Sequence, residues 1–414
     1  MAFDAHPDLF APLRLPGGAE LPNRIVKAAL AEGLPAPDGL PGPRLERLYA
    51  RWAAGGAGLL VTGRVLVAGE GPTPPGAPVL GPDAPIEPYR RWARAAHAEG
   101  ARIWMQLDAP ARGAGIRPDW ERGRAARRAE GRTGARGTAR GAGEPAERDP
   151  AGPVAGFAAA AVRAEEAGFD GVQLPASLGH RLHCGPGAGP AGPPAVRARA
   201  LTEVVRGIRA AVSPRFGVGV KLDAPAGPGR GPDPAELGVL LSLLAALGVD
   251  LVELVLPAGS RWDAEADGAR GLRERIAPAA PLPLMATGGI DCPRQAGRVL
   301  GAGAALIGMG GALAHDPDLP ARWRADPTGA RAGEGGGEGT DGRRCGPADA
   351  ALVRAQVRRL AEGLEPGPQH HARRLLVLDL LRRGRPDPLR ERRAASRRAV
   401  TPEVIAPGGV RAAP

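Results

Sequence analysis

The sequence predicts an α/β protein: a (β/α)8 TIM barrel with long low-complexity loops and a helical C-terminal extension. Three observations predict it. Short apolar runs alternate with longer segments of helical periodicity, eight such runs occur in order, and the runs are apolar at nearly every position. Strands apolar on both faces are typical of parallel sheets covered by helices, and eight strand–helix units favour a closed barrel. A doubly wound open sheet is the alternative, but it ordinarily has fewer strands.

The predicted strands are rich in valine, leucine and isoleucine. In chain order they cover 24–30, 58–67, 102–107, 171–176, 217–222, 251–256, 282–289 and 304–313. The segments between them carry apolar residues at helical spacing, and several end in glycine, which commonly terminates helices. The predicted helices cover 44–56, 87–100, 157–169, 200–212, 234–248, 269–280 and 293–303. The helix over 269–280 has the weakest pattern.

Low-complexity segments interrupt the pattern. The chain has 63 glycines and 46 prolines, concentrated at 113–150, 185–194 and 327–346, where no apolar face exists to order the backbone. We therefore predict that these segments are mobile loops. The predicted organisation is a barrel over 1–325 with an Arg/Gly-rich insertion at 113–150, a linker over 326–346, and a helical extension with a tail over 347–414.

Charge gives little support to nucleic-acid binding. The net charge of +11 comes almost entirely from arginine, because Lys27 and Lys221 are the only lysines among 55 basic residues. The arginine bias runs through the whole chain, and the basic stretch 117–140 has no tyrosine or phenylalanine on which bases could stack. A nucleic-acid partner is therefore the least favoured hypothesis.

Cysteine usage predicts a reducing compartment. Cys184, Cys292 and Cys345 are far apart and show no C-x-x-C spacing, which argues against a disulfide framework and against a structural zinc site. No apolar run is long enough to span a membrane, and the first residues lack the pattern of a signal peptide. We expect a cytoplasmic protein without a membrane partner; the sequence neither requires nor excludes a homo-oligomer.

Several motifs resemble a known family. They are LFAPLRLPGGAELPNRIVKAALAEG, LYARWAAGGAGLLVTGRVLV, IWMQLDAPARGA, EEAGFDGVQLPASLGH, EVVRGIRAAV followed by VGVKL, and MATGGI with LIGMGGALAHDPDLPARW. In order and in strand register over about residues 8–324, the chain resembles the Old Yellow Enzyme group of FMN-dependent NAD(P)H oxidoreductases, including its dienoyl-CoA-reductase-like branch. The resemblance implies bound FMN, NAD(P)H as hydride donor, and a small-molecule electron acceptor.

The resemblance also implies where the flavin ring binds. Gln106 matches the glutamine whose amide meets the pyrimidine edge of the ring, and Lys221 matches the basic residue near flavin N1 and O2. Lysine is costly in the otherwise buried strand VGVKL unless it has a role. The alternatives are an ordinary strand-end glutamine and a lysine charge in a loop mouth. Ala31 stands where the family carries threonine or cysteine near flavin O4, and Ala109 replaces a family histidine.

The resemblance places the cofactor phosphate after the last two barrel strands. Gly288 and Gly289 would follow the seventh strand, and Gly310 and Gly311 the eighth, where backbone N–H groups grip phosphate in barrels of this kind. Family members carry an arginine at the position of Gly311. The sequence therefore predicts a backbone phosphate site that lacks one charge-assisted contact.

The substrate site departs most from the family. Two hydrogen-bond donors after the fourth barrel strand normally hold the substrate carbonyl, and a tyrosine then protonates the substrate. This chain has Pro175 and Leu178 at the donor positions, and neither side chain can donate. His180 stands at the tyrosine position and is the candidate catalytic acid, against the alternative of a solvated loop histidine.

Two hypotheses follow. The first is an FMN-dependent NAD(P)H oxidoreductase with an altered substrate site, passing hydride to an acceptor that needs no carbonyl clamp, such as oxygen or a quinone. The second is a non-catalytic barrel that has lost flavin chemistry and serves a binding or structural role. The substitutions at the functional face are the basis for the second hypothesis; they are Ala31, Ala109, Pro175, Leu178 and Gly311.

Overall fold

The computed structural model describes a defined part of the chain. The described residues are 8–34, 39–67, 77–109, 151–176, 194–225, 232–256, 262, 272–277, 280–327 and 347–367. The predicted loop at 113–150, nearly all of those at 185–194 and 327–346, and the chain beyond 367 lie outside these residues.

The sheet closes into the predicted barrel. The strands are β1 (Leu13–Arg14), β2 (Glu20–Leu21), β3 (Ile25–Lys27), β4 (Leu59–Val67), β5 (Val79–Leu80), β6 (Arg102–Asp108), β7 (Gly171–Pro175), β8 (Gly217–Asp223), β9 (Leu251–Val255), β10 (Leu284–Thr287) and β11 (Leu306–Met309). β3 pairs in parallel with both β4 and β11, which closes a ring of eight parallel strands. β5 adds to β4 outside the ring, and β1 and β2 form a separate antiparallel pair.

Helices separate the strands as predicted. They are α1 (Pro43–Ala54), α2 (Glu87–His97), α3 (Ala151–Glu166), α4 (Pro194–Ala211), α5 (Pro234–Ala246), α6 (Pro293–Gly301), α7 (Gly311–His315), α8 (Leu319–Ala325) and α9 (Pro347–Ala361). Two predictions need correction. The helix expected over 269–280 is a single π-helical turn at Leu272–Ile276 within the described residues. The strand expected over 24–30 already ends at Lys27, and the helical extension is described only as α9.

Trp104 fills the amino-terminal half of the barrel. Its side chain is fully buried and packs in the inner apolar cluster with residues of β3, β4, β9, β10 and β11. Glycines of β7 and β8 face the indole: a Cβ on Gly171, Gly217 or Gly219 would lie 2.7, 2.2 and 2.7 Å from its ring atoms. The lack of side chains at these three positions therefore makes room for the Trp104 indole.

A buried polar cluster ties the segment after β3 to β4. Lys27 Nζ donates hydrogen bonds to the Val61 carbonyl at 2.9 Å and the Tyr49 hydroxyl at 3.0 Å, and lies 3.4 Å from Glu32 Oε1. Glu32 Oε1 accepts in turn from the Tyr49 hydroxyl at 2.5 Å and from Gly63 N at 2.8 Å. These bonds hold the chain after β3 against the middle of β4.

The Lys27 cluster predicts a pH dependence of stability. Burial lowers the pKa of the Lys27 ammonium to about 8, against the opposing attraction of Glu32. Between pH 8 and 10 the unfolded chain therefore binds more protons at this residue than the folded chain does, and the free energy of unfolding should rise with pH by on the order of 1 kcal/mol per unit. Above pH 10 the gain should stop, because Lys27 of the unfolded chain then also loses its proton, and stability should begin to fall, because the pKa of Tyr49 is raised, chiefly by burial.

Urea unfolding curves between pH 7 and 10.5 would measure this dependence. In the variant Lys27→Met the rise attributable to this residue should disappear. An equally steep rise in both proteins would contradict the assignment to Lys27.

Candidate functional site at the carboxyl ends of the barrel strands

Four polar side chains form a continuous chain across neighbouring strands of the barrel. Gln106 Nε2 of β6 donates to Gln173 Oε1 of β7 at 2.8 Å, and Gln173 Nε2 donates to Glu253 Oε2 of β9 at 2.7 Å. Lys221 Nζ of β8 lies 3.1 Å from Glu253 Oε1. Gln173 is 1% exposed and Glu253 fully buried. We call Gln106, Gln173, Glu253 and Lys221 the polar chain.

The polar chain brings two predicted site residues together. Gln106 and Lys221 were both selected from the sequence, and the structure links them through Gln173 and Glu253, which sequence reasoning missed. A signal was present: VQL and VELV each carry one polar residue in a buried strand, as VGVKL does. The Lys221 side chain is 18% exposed and paired with Glu253, so it is not an isolated charge in a loop mouth.

A pair of glycines follows each of two adjacent strands, and the first pair has a backbone conformation that other residues rarely adopt. Gly288 and Gly289, directly after β10, have φ of 115° and 65°, in the left-handed region that favours glycine. A Cβ on Gly288 would also lie 3.2 Å from the Leu256 Cβ. Gly310 precedes α7 and Gly311 begins it, and β10 pairs directly with β11. The two glycine pairs therefore follow neighbouring strands.

Helix α9 reaches the same rim. A Cβ on Gly311 would lie 3.6 Å from Val353 Cγ2 of α9, an ordinary van der Waals distance. Ala31, four residues after the end of β3, is exposed, and Ala109, directly after β6, is half-buried. Neither alanine has a side chain that can donate a hydrogen bond to a ligand.

Pro175 is the last residue of β7 and is buried. In the strand register it lies beside Lys221, and the strand alternation places it on the same face as Gln173. The first position of the expected carbonyl clamp therefore adjoins the polar chain but carries no donor. Leu178 and His180 lie outside the described residues.

The described residues show neither a metal centre nor a membrane-spanning helix. No group of three or more histidine, cysteine, aspartate or glutamate side chains there has the arrangement of a metal site. Within the same residues, no helix has the length and apolar character needed to cross a membrane.

Comparisons with curated proteins give several relatives, among them NADH-dependent flavin oxidoreductases. The NADH-dependent flavin oxidoreductase iliE of Neonectria sp. (strain DH2) is 30% identical over 355 residues, which are 75% of this chain and 46% of that protein. The NADH-dependent flavin oxidoreductase iccE of Talaromyces variabilis is 32% identical over 260 residues, 57% of this chain and 63% of that protein. The matched region thus spans less than two thirds of the length of either relative.

Solved structures share the fold. The Old Yellow Enzyme homologue from Zymomonas mobilis superposes with a TM-score of 0.59 at 22% identity, over 77% of this chain and 93% of that one. Morphinone reductase gives a TM-score of 0.58 at 25% identity, over 78% and 90%. These structures confirm the fold implied by the sequence resemblance. A model of the NADH:flavin oxidoreductase / NADH oxidase family matches residues 8–326, so this chain, with its closed barrel and its polar chain at the strand ends, belongs to that family.

Proposed function

We propose that the chain is an FMN-dependent NAD(P)H oxidoreductase of the Old Yellow Enzyme type, which passes hydride from NAD(P)H through flavin to a small-molecule acceptor. The observation that carries the proposal is the polar chain. A fully buried carboxylate paired with a lysine, and the buried Gln173 amide beside it, cost stability at the ligand-binding end of a barrel unless they serve a site. Family membership and the names of the curated relatives support the same reaction class.

The residues at the strand ends fit FMN. Gln106 offers an amide and Lys221 a cation beside it, which suits a ring edge that carries carbonyl and imide groups and gains negative charge on reduction. Gly288, Gly289, Gly310 and Gly311 leave backbone N–H groups uncovered by side chains, which suits a phosphate. Bound there, FMN would supply the two-electron hydride chemistry that no side chain of this site can perform.

The acceptor follows from the missing clamp. Pro175 and Leu178 stand at the two positions where donors for the substrate carbonyl are expected. Neither side chain has a hydrogen-bond donor, so neither can hold the carbonyl oxygen. Oxygen and quinones take electrons from reduced flavin without such a clamp, so we propose acceptors of this kind. His180 remains the proposed proton donor on the sequence alone. The cytoplasmic location also stays a prediction.

The non-catalytic alternative accounts poorly for the polar chain. Selection for folding alone would favour apolar replacements of Lys221 and Glu253, because exchanging a buried ion pair for well-packed apolar groups is often neutral or stabilising. The substitutions at Ala31, Pro175 and Gly311 alter contacts expected around the cofactor and substrate, whereas the four side chains of the polar chain contact one another continuously.

The absorbance spectrum of the purified full-length protein tests the proposed function. Bound flavin should give visible bands that bleach on anaerobic addition of NADH or NADPH and return when oxygen or a quinone is admitted. A protein that stays colourless after incubation with excess FMN would overturn the proposal.

We expect the replacement of Gly311 by arginine to raise the affinity for FMN. In the variant Gly311→Arg a guanidinium placed at the start of α7 should strengthen FMN binding about tenfold, because a charge-assisted hydrogen bond contributes about 1.5–3 kcal/mol before the cost of ordering the side chain. Riboflavin, which lacks the phosphate, should bind the variant and the parent equally. Flavin fluorescence titration measures both affinities.

The matched control for this variant is Gly311→Met, which adds a side chain of similar length beside Val353 without the charge. A gain of similar size with methionine, or for riboflavin, would show that Gly311 does not adjoin the phosphate.

A further inference from the structure

Glu253 occupies the centre of the polar chain and has no access to solvent. Its two carboxylate oxygens have different partners: Oε2 accepts from the Gln173 amide, and Oε1 faces the Lys221 ammonium. Lys221 is 18% exposed whereas the Glu253 side chain has no exposure, so the lysine is the member of the pair that reaches solvent. Among the described residues Oε1 accepts no hydrogen bond, so the ion pair with Lys221 at 3.1 Å alone offsets the cost of burying that oxygen.

We propose that Glu253 is a positioning residue for the cofactor: through Gln173 it sets the orientation of the Gln106 amide, and through Lys221 it limits the positive charge that stabilises reduced flavin. This inference rests on the proposed function. Gln173 and Glu253 do not contact the ring themselves in this proposal. They act through Gln106 and Lys221, which are expected to contact it.

Hydrogen-bond chemistry sets the orientation of the Gln173 and Gln106 amides. An ionised carboxylate only accepts hydrogen bonds, so Gln173 must present its NH2 group to Glu253. Its carbonyl oxygen then faces Gln106, which must present its own NH2 group in return, as the 2.8 Å contact shows. Gln106 Oε1 is thereby turned away from Gln173 and can accept from the N–H of a cyclic imide, the group on the pyrimidine edge of a flavin.

Lys221 and Glu253 have opposite effects on the negative charge of the reduced cofactor. Lys221 attracts the negative charge that develops on the flavin, and the Glu253 carboxylate 3.1 Å behind it opposes part of that attraction. Both groups are largely removed from water, where screening is weak. Glu253 therefore weakens binding of the reduced flavin more than binding of the oxidised one, and it holds the reduction potential down.

Two variants separate the effect of the Glu253 charge from the effect of the amide orientation. Glu253→Gln removes the negative charge at nearly constant shape. We expect the affinity for reduced FMN to rise about tenfold relative to the affinity for oxidised FMN, which for a two-electron couple raises the midpoint potential by about 30 mV. Gln173→Leu keeps the ion pair but breaks the amide series. It should weaken binding of oxidised FMN and of riboflavin by the same factor, about tenfold, with little change in potential.

Controls keep the test decisive. Glu203→Gln makes the same charge change on the surface of α4, where Glu203 pairs with Arg199, and should leave the potential unchanged. The double variant Glu253→Gln/Lys221→Met removes both buried charges, which protects the fold, and should lose the rise in potential seen with Glu253→Gln alone. Spectroelectrochemical titration of the flavin-loaded proteins measures each potential.

The outcomes distinguish the inference from the function it rests on. A parent protein that binds no flavin overturns both. A parent that binds flavin, with an unchanged or lower potential in Glu253→Gln, overturns the charge role alone. Equal affinity of Gln173→Leu and the parent for riboflavin overturns the orientation role.

Discussion

Reduction of a simple cyclic enone by the flavin-loaded protein should be about two to three orders of magnitude slower than its oxidation of NAD(P)H with a quinone. Ene reduction builds negative charge on the substrate carbonyl, and each missing donor to a developing oxyanion typically costs about 2.7–4 kcal/mol. Pro175 lies at the end of β7 beside Lys221, where a donor would be needed, and cannot supply one. Leu178 removes the second donor, and the joint cost is not a simple sum.

Restoring the donors provides the test. The double variant Pro175→His/Leu178→Asn should raise kcat/KM for cyclohexenone about 100-fold while leaving quinone reduction nearly unchanged. The matched control, Pro175→Ala/Leu178→Ala, relieves the same proline constraint without adding donors and should gain little. Steady-state kinetics with both acceptors measures the ratio. Brisk enone reduction by the unmodified protein would mean that other groups hold the carbonyl, with His180 the first to replace.

Replacing Gly217 by alanine should destabilise the barrel by about 3 kcal/mol or more, at the upper end of the usual cost of overpacking. The new methyl carbon would lie 2.2 Å from Trp104 Cζ2 and 2.6 Å from Cε2, far inside contact distance. Trp104 is fully buried and surrounded by the inner cluster, so the ring cannot move away without displacing neighbouring strands. Chemical denaturation monitored by circular dichroism measures the loss.

A helix glycine and a double-mutant cycle serve as controls. A Cβ on Gly238 in α5 meets nothing within 4 Å, so Gly238→Ala should stabilise the protein by up to about 1 kcal/mol. Trp104→Leu shortens the ring's reach, and in that background Gly217→Ala should cost at least about 2 kcal/mol less than in the parent. Equal costs in both backgrounds would show that the clash with Trp104 is not the cause.

The barrel was predictable because its signal is local. A strand buried on both faces is apolar at nearly every position, and this pattern located all eight strands of the ring. The errors lie where distant contacts decide. The strand predicted over 24–30 ends at Lys27, because Glu32 bonds to Gly63 N, 31 residues along the chain, and draws the backbone out of the sheet. No local pattern encodes that bond.

For the site, the family resemblance selected Gln106 and Lys221, and the criterion that a polar residue in a buried strand is costly supported Lys221. It did not select Gln173 or Glu253, although both meet the same criterion. A polar residue in a buried strand can face a neighbouring helix or the barrel interior. Lys27 shows the difficulty: it is just as anomalous, yet it bonds to Tyr49 of α1 in the layer between strand and helix.

The sequence by itself determined the barrel, its strand order along the chain, the family and the absence of a donor at Pro175, because burial and side-chain chemistry can be read one residue at a time. The tertiary structure alone decided which polar residues act together. Strand register sets Lys221 beside Glu253, 32 positions away, and Gln106 beside Gln173, 67 positions away. Closure of the ring then directs these side chains inward, where exclusion of water makes their pairing obligatory.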